Sequence, residues 1–124
     1  MPKKAMEILT ESMFYCLMAL NRCPMCGIDI AAFVDGKTRG RVQLGPATLY
    51  TILGKFEKEG FISEIEVQGR KRTYAITSRG RAAYDEELAR LRQCIADAET
   101  PDDAWITEGA MRQLTGETQP SPGT

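Results

Sequence analysis

Three consecutive cations, Arg70, Lys71 and Arg72, stand at a predicted turn between two stretches that alternate like β-strands. Gln68 and Gly69 begin the turn, and Gly69 supplies the permissive backbone that a tight turn needs. Cationic side chains at a hairpin tip can contact phosphates or enter a minor groove. A solvated basic turn is the other interpretation, and the segment that precedes the hairpin favours the first.

An amphipathic helix is predicted directly before the hairpin. Pro46 suits a first helical position, and Gly60 suits the left-handed conformation that ends a helix. One apolar stripe follows the spacing i, i+3, i+4, i+7 and consists of Leu49, Ile52, Leu53 and Phe56. The opposite face can reach base edges or phosphates and carries Thr48, Thr51, Lys55 and Lys58. We therefore expect the helix and hairpin to contact nucleic acid.

The charge distribution supports this expectation, although the whole chain is slightly acidic. The 124 residues carry a net charge of −1, and the pI near 5.5 is unusual for a generic DNA binder. Residues 37–72 hold eight cations against four acids, a net charge of +4. Residues 73–124 hold five arginines against nine acids, and residues 1–36 hold three cations against four acids. The cations therefore gather in the segment with the helix and hairpin.

Several motifs in this order resemble one known family. They are Leu9 to Leu20, Pro24 to Ile30, Gly45-Pro46-Ala47-Thr48-Leu49-Tyr50, Glu57-Lys58-Glu59-Gly60 and Arg70 to Tyr74, continuing through Thr77 and Gly80. Over roughly residues 9–98 the chain resembles the PadR family of bacterial transcriptional regulators, which are winged helix-turn-helix proteins. The combination of motifs carries the resemblance, since no single motif is specific.

The resemblance implies a mostly α fold with a two-stranded β-wing, of the α+β class: a winged helix-turn-helix with a C-terminal dimerisation helix. It also implies a repressor that binds double-stranded DNA at a two-fold-symmetric operator as a homodimer and is released by a small-molecule effector. The expected DNA contacts are Thr48, Tyr50, Thr51 and Lys55 on the helix and Arg70, Lys71 and Arg72 on the wing. Tyr50 could instead brace the helix against the wing.

A long helix is predicted from Thr77 or Ser78 to about Ala98. A two-heptad apolar seam runs along it, with spacings of 4, 3 and 4 between Tyr84, Leu88, Leu91 and Ile95. The seam could pack on the core of its own domain. Because the helix follows the wing at the edge of the domain, we predict instead that these four residues form a dimer interface. The resemblance adds the first helix to that interface.

The remaining elements complete the predicted organisation. Thr10 caps a first helix over about residues 11–21. A second helix begins near Gly27 and is expected to bury Ile28, Ile30, Ala31 and Val34. Residues 1–76 are predicted to form the DNA-binding domain, and residues 77–114 the dimerisation helix with an extension that includes a short helix from about residue 101. Residues 115–124 are predicted to be a disordered tail.

Two cysteines, Cys23 and Cys26, form a C-x-x-C motif just before the second helix. They could be a redox couple or two ligands of a metal, but we favour two small residues in a turn. No metal site is expected, since the chain has no histidine and Cys16 and Cys94 lie far away in sequence. A redox- or metal-responsive regulator is the alternative function, and a winged-helix module for protein interaction is the third.

Other classes of protein are disfavoured by what the sequence lacks. Without histidine, a Walker loop or a nucleophile elbow, we expect no enzyme and no cofactor. No apolar run approaches the roughly 20 residues of a membrane span. The N-terminus does not read as a secretory leader, so we expect reduced thiols and a cytoplasmic location.

Overall fold

A computed structural model describes residues 8–102. The elements in this part are α1 (Glu11–Arg22), β1 (Met25–Cys26), α2 (Gly27–Lys37), α3 (Pro46–Glu59), β2 (Ile62–Gln68), β3 (Lys71–Ile76) and α4 (Ser78–Glu99). This α+β arrangement confirms the predicted fold class. Within the described residues, a boundary between Leu91 and Arg92 divides the chain into two units. Most of the short helix predicted from residue 101 to 114, and the tail predicted over 115–124, lie outside the described residues.

Local signals in the sequence fix the helix ends. The Thr10 hydroxyl accepts a hydrogen bond from the Met13 backbone N–H at 3.2 Å and caps α1. Pro46 opens α3, and Gly60 ends it with a φ of 79°, in the left-handed region that glycine adopts at little cost. The Thr77 hydroxyl accepts from the Gly80 N–H at 3.0 Å and caps α4. These caps confirm the three predicted helices with nearly their predicted bounds.

The predicted hairpin belongs to a larger sheet. β3 lies in the middle of a three-stranded antiparallel sheet with the order β1-β3-β2. Met25 pairs with Tyr74 and Cys26 with Thr73, so the segment that contains the C-x-x-C motif supplies the third strand. The expected two-stranded wing is therefore present, but it is anchored to the helical part of the domain by a short strand that the sequence pattern did not predict.

The core forms where the apolar faces of the helices meet the base of the sheet. Every member of the predicted α3 stripe is buried. α1 is apolar on more than one side, and one chain alone covers most of that surface. The buried residues of α1 and α2 are Met13, Phe14, Cys16, Leu17, Ala19, Leu20, Gly27, Ile30 and Val34. Among residues 8–102, no helix is both long and apolar enough to span a membrane.

One predicted core residue is on the surface. The side chain of Ile28 is 77% exposed, whereas Ile30 and Val34 are fully buried. Helical side chains advance by about 100° per residue, so Ile28 lies about 160° around α2 from Ile30 and about 120° from Val34. The assignment of Ile28 to the core was wrong because it followed hydrophobicity and not helical period.

Candidate nucleic-acid interface

All seven side chains predicted to contact DNA are exposed. Burial of the α3 stripe turns Thr48, Thr51 and Lys55 outward, because a residue on the opposite side of the same helix cannot enter the core. The wing residues Arg70, Lys71 and Arg72 lie at the tip of the hairpin and at the start of β3. The prediction that these residues contact DNA stays a prediction, but no part of residues 8–102 covers them.

Thr48, Thr51 and Lys55 share a cavity of about 390 Å³, which we call the helix cavity. Its other walls include Thr10 and Ser12 at the start of α1. Sequence reasoning missed both residues as part of a site, although it identified Thr10 as a cap. Thr10 and Ser12 lie 36 or more positions before Thr48 in the sequence, so only the tertiary fold brings them together.

A second cavity of about 390 Å³, which we call the wing cavity, separates α3 from the wing. Its lining comes from the end of β1, from the start of α2, from α3 and from the wing. The lining residues are Cys26, Gly27, Ile28, Asp29, Tyr50, Arg70, Lys71 and Arg72. Tyr50 therefore groups with the wing cations and not with the other predicted contacts of α3. Of the three α2 residues in the lining, none was singled out by the sequence as a site residue.

Tyr50 is held against the start of α2. A β-carbon built on Gly27 would lie 2.5 Å from the hydroxyl oxygen of Tyr50, closer than real side chains approach. Glycine at this position therefore lets the tyrosine ring pack over the α2 backbone, while half of the tyrosine stays exposed. The packing of Tyr50 is thus on α2, and its suggested role in bracing the helix against the wing stays a prediction.

The wing cations differ in how far they are already neutralised. Arg72 forms an ion pair with Glu64 across the hairpin, with 2.9 Å between Nη1 and Oε1. In the part of the chain that the structure describes, neither Arg70 nor Lys71 has an acidic oxygen within 4.0 Å. Arg41, in the loop before α3, pairs with Glu11 at 2.7 Å and donates to the Tyr15 hydroxyl at 3.1 Å. Arg70 and Lys71 are thus the wing charges most available to an anion.

The two cysteines of the C-x-x-C motif differ in solvent exposure. Cys23 follows α1 and is exposed, whereas Cys26 lies in β1 and is buried; both are free thiols, as is Cys16. Burial raises the pKa of the Cys16 thiol to about 12, so this thiol is protonated at neutral pH. Residues 8–102 hold no group of three or more cysteine, aspartate or glutamate side chains that could bind a metal. Redox sensing by Cys23 and Cys26 stays a hypothesis.

The four residues of the predicted dimer seam on α4 differ in how far their own chain buries them. Tyr84, Leu88 and Leu91 are half-buried against the core of their own chain. The Tyr84 ring stacks on Phe14 of α1, with 5.1 Å between ring centroids and 16° between ring planes. Ile95 is 57% exposed. Intrachain packing thus uses part of the seam, and Ile95 is its most available apolar side chain.

Solved structures share this fold. A transcriptional regulator from Clostridium thermocellum is 24% identical, with a TM-score of 0.60 over 73% of this chain and 90% of that one. RosR of H. salinarum is 17% identical, with a TM-score of 0.58 over 89% of this chain and 93% of that one. A PadR family transcription regulator from Clostridium difficile is 16% identical, with a TM-score of 0.60 over 86% of this chain and all of that one.

Sequence comparison identifies the family. An uncharacterized 37.1 kDa protein in transposon TN4556 of Streptomyces fradiae is 31% identical over 90 residues, which is 70% of this chain. The match covers 26% of that relative, so this chain spans about a quarter of its length. The profile of the transcriptional regulator PadR-like family matches residues 16–86, more than half of the chain. The chain therefore belongs to the PadR-like family of transcriptional regulators, which are not enzymes.

Proposed function

We propose that this regulator binds double-stranded DNA sequence-specifically, as a homodimer on a two-fold-symmetric operator. It represses transcription there until a small-molecule effector releases it. The observation that carries the proposal is the wing cavity, in which a residue of α3 and the wing cations line one space. The other predicted contacts of α3, Thr48, Thr51 and Lys55, line the helix cavity, so α3 contributes side chains to both cavities.

Charge supports a polyanionic partner. Arg70 and Lys71 lack acidic partners within residues 8–102, in a chain whose net charge is −1. A cation without an intramolecular partner is free to neutralise a phosphate and release a counterion, the main source of affinity in protein–DNA binding. Thr48, Thr51 and Lys55 supply the hydrogen-bonding groups that distinguish bases in a major groove.

The experiment compares binding to a duplex from the gene's own upstream region with binding to a shuffled duplex of the same composition. We expect tighter binding to the upstream duplex, and Thr48→Val together with Lys55→Ala should reduce that preference about tenfold or more. Loss of base-edge contacts lowers specificity while phosphate contacts persist. Fluorescence anisotropy at fixed salt measures both affinities.

Lys37→Ala is the matched control, since Lys37 is an exposed lysine on α2 outside both cavities. It should leave the preference unchanged. Equal affinity of the wild type for both duplexes would exclude sequence-specific binding to this region. Absence of any salt-dependent binding to duplex DNA would favour the protein-interaction module.

The dimer part of the proposal is best tested at Ile95. Leu88 and Leu91 are half-buried in their own chain, so charges there would also disturb the monomer. Ile95→Asp should convert dimers to monomers, because two-fold symmetry would bring two carboxylates into one apolar seam without partners. Tight operator binding should then fall, since each half-site loses the gain in effective concentration. Size-exclusion chromatography with light scattering measures the assembly.

Ala89→Asp is the control for Ile95→Asp, because Ala89 is exposed and lies about 120° around α4 from Ile95. It adds the same charge to the same helix and should leave the dimer intact. A wild type that is monomeric at all concentrations, or an Ile95→Asp variant that stays dimeric, would refute the seam assignment.

A further inference from the structure

Ile28 is the most exposed large apolar side chain in the described part of the chain, at 77%. A single exposed isoleucine is common on protein surfaces. The position of Ile28 is less common, because it lines the wing cavity beside the ring of Tyr50 and the wing cations. An apolar side chain placed among cations suits a partner that presents both apolar and anionic groups.

A DNA strand is such a partner. Its backbone alternates anionic phosphates with deoxyribose rings whose carbon atoms are apolar. Arg70 and Lys71 face one acid, Asp29, in the lining of the cavity, and Arg72 is paired with Glu64, so the remaining positive charge is complementary to phosphate. Ile28 and Tyr50 add the apolar surface that phosphate alone would not require.

The position of the wing cavity is also consistent with a contact to the DNA backbone. The proposed function places the base-reading groups of α3 in a major groove and the wing cations at phosphates. A wing beside α3 would then lie over the strand that borders this groove. One sugar–phosphate strand separates two adjacent grooves of a duplex. Because the wing cavity is lined by Tyr50 of α3 and by the wing cations, it would face that strand in such a complex.

We propose that the wing cavity holds one sugar–phosphate unit of the DNA strand, with Arg70 and Lys71 at the phosphate and Ile28 against the deoxyribose. This inference rests on the proposed function and assigns Ile28 as a contact residue that adds affinity for any sequence. Gly27 contributes indirectly, since a side chain there would displace Tyr50 from its place over α2.

The test measures Ile28→Ser on the upstream and shuffled duplexes over a range of salt concentrations. We expect about fivefold weaker affinity for both duplexes, because a small apolar contact is lost and backbone contacts carry no sequence information. The salt slope should stay unchanged, since no charge is removed. Ile65→Ser is the control: Ile65 is 55% exposed on β2 and is not among the lining residues.

Ile28→Asp provides the second variant. A carboxylate next to the phosphate should weaken binding more than serine does, and the gap between the variants should widen as salt is lowered. Equal affinities of wild type and Ile28→Ser would overturn the inference while leaving the proposed function intact. A loss confined to the upstream duplex would also overturn it, because the contact would then be to a base. If the wild type shows no salt-dependent binding to duplexes, the proposed function itself fails.

Discussion

Replacing Arg70, Lys71 and Arg72 together by alanine is expected to weaken binding to any duplex, by about a hundredfold for each wing that contacts the DNA. Each lost phosphate contact should lower the slope of log affinity against log salt by about 0.9, so the loss is largest at low salt. The preference for the upstream duplex over the shuffled one should persist, because it depends on α3. Anisotropy titrations at several salt concentrations measure the slope and the preference together.

The ion pair of Arg72 with Glu64 refines this expectation. The Arg70→Ala, Lys71→Ala double variant should account for most of the change in slope, and Arg72→Ala should add less. A charge-matched control replaces Arg79, Arg81 and Arg92, all exposed on α4, by alanine. If the control triple flattens the slope as much as the wing triple, general charge and not the wing determines the affinity.

Gly80→Ala is expected to destabilise the folded chain by about 2–4 kcal/mol. A β-carbon on Gly80 would lie 2.1 Å from the backbone oxygen of Phe61 and 2.8 Å from a side-chain carbon of Ile76. The Phe61 oxygen is held in place, since it accepts the Thr77 N–H at 2.9 Å. The first turn of α4 would therefore have to move away from the sheet. Urea denaturation at fixed protein concentration measures the loss.

Gly54→Ala, in contrast to Gly80→Ala, is expected to stabilise the folded chain. Gly54 is inside α3, and a β-carbon there would meet no atom within 4 Å. Helix propensity alone then applies, and we expect a gain of about 0.5–1 kcal/mol. The two substitutions are chemically identical, so the difference between them measures the close approach at Gly80. A Gly80→Ala variant as stable as wild type would show that α4 does not pack on the Phe61 backbone as described.

The helix ends and the apolar stripe of α3 were predicted correctly because their signals lie within short stretches of sequence. Thr10, Pro46 and Gly60 mark helix ends through their own backbone or side-chain chemistry, and the α3 stripe follows from a period of 3.6. Strand β1 was not predicted, because the residues that pair with it are far away in the sequence. β1 contains only Met25 and Cys26, and their pairing with Tyr74 and Thr73 joins segments 47 or more positions apart. No window of the sequence carries that information.

The candidate site shows the same limit. Residue type and helical face were enough to place Thr48, Thr51 and Lys55 on one exposed surface. The approach of Tyr50 to Gly27 joins α3 to α2, and sequence alone left the role of Tyr50 open. The exposure of Ile28 was a different case, because its angle from Ile30 around α2 could have been counted from the sequence.

The most direct measurement of the central claim is a hydroxyl-radical footprint of the wild-type protein on the upstream duplex. A dimer that places two α3 helices and two wings on DNA should protect two backbone segments related by two-fold symmetry. Their centres should lie about 10 base pairs, or a multiple of that spacing, apart on the duplex. Absence of protection at saturating protein, or protection of a single unpaired segment, would contradict a dimer that reads a two-fold-symmetric operator.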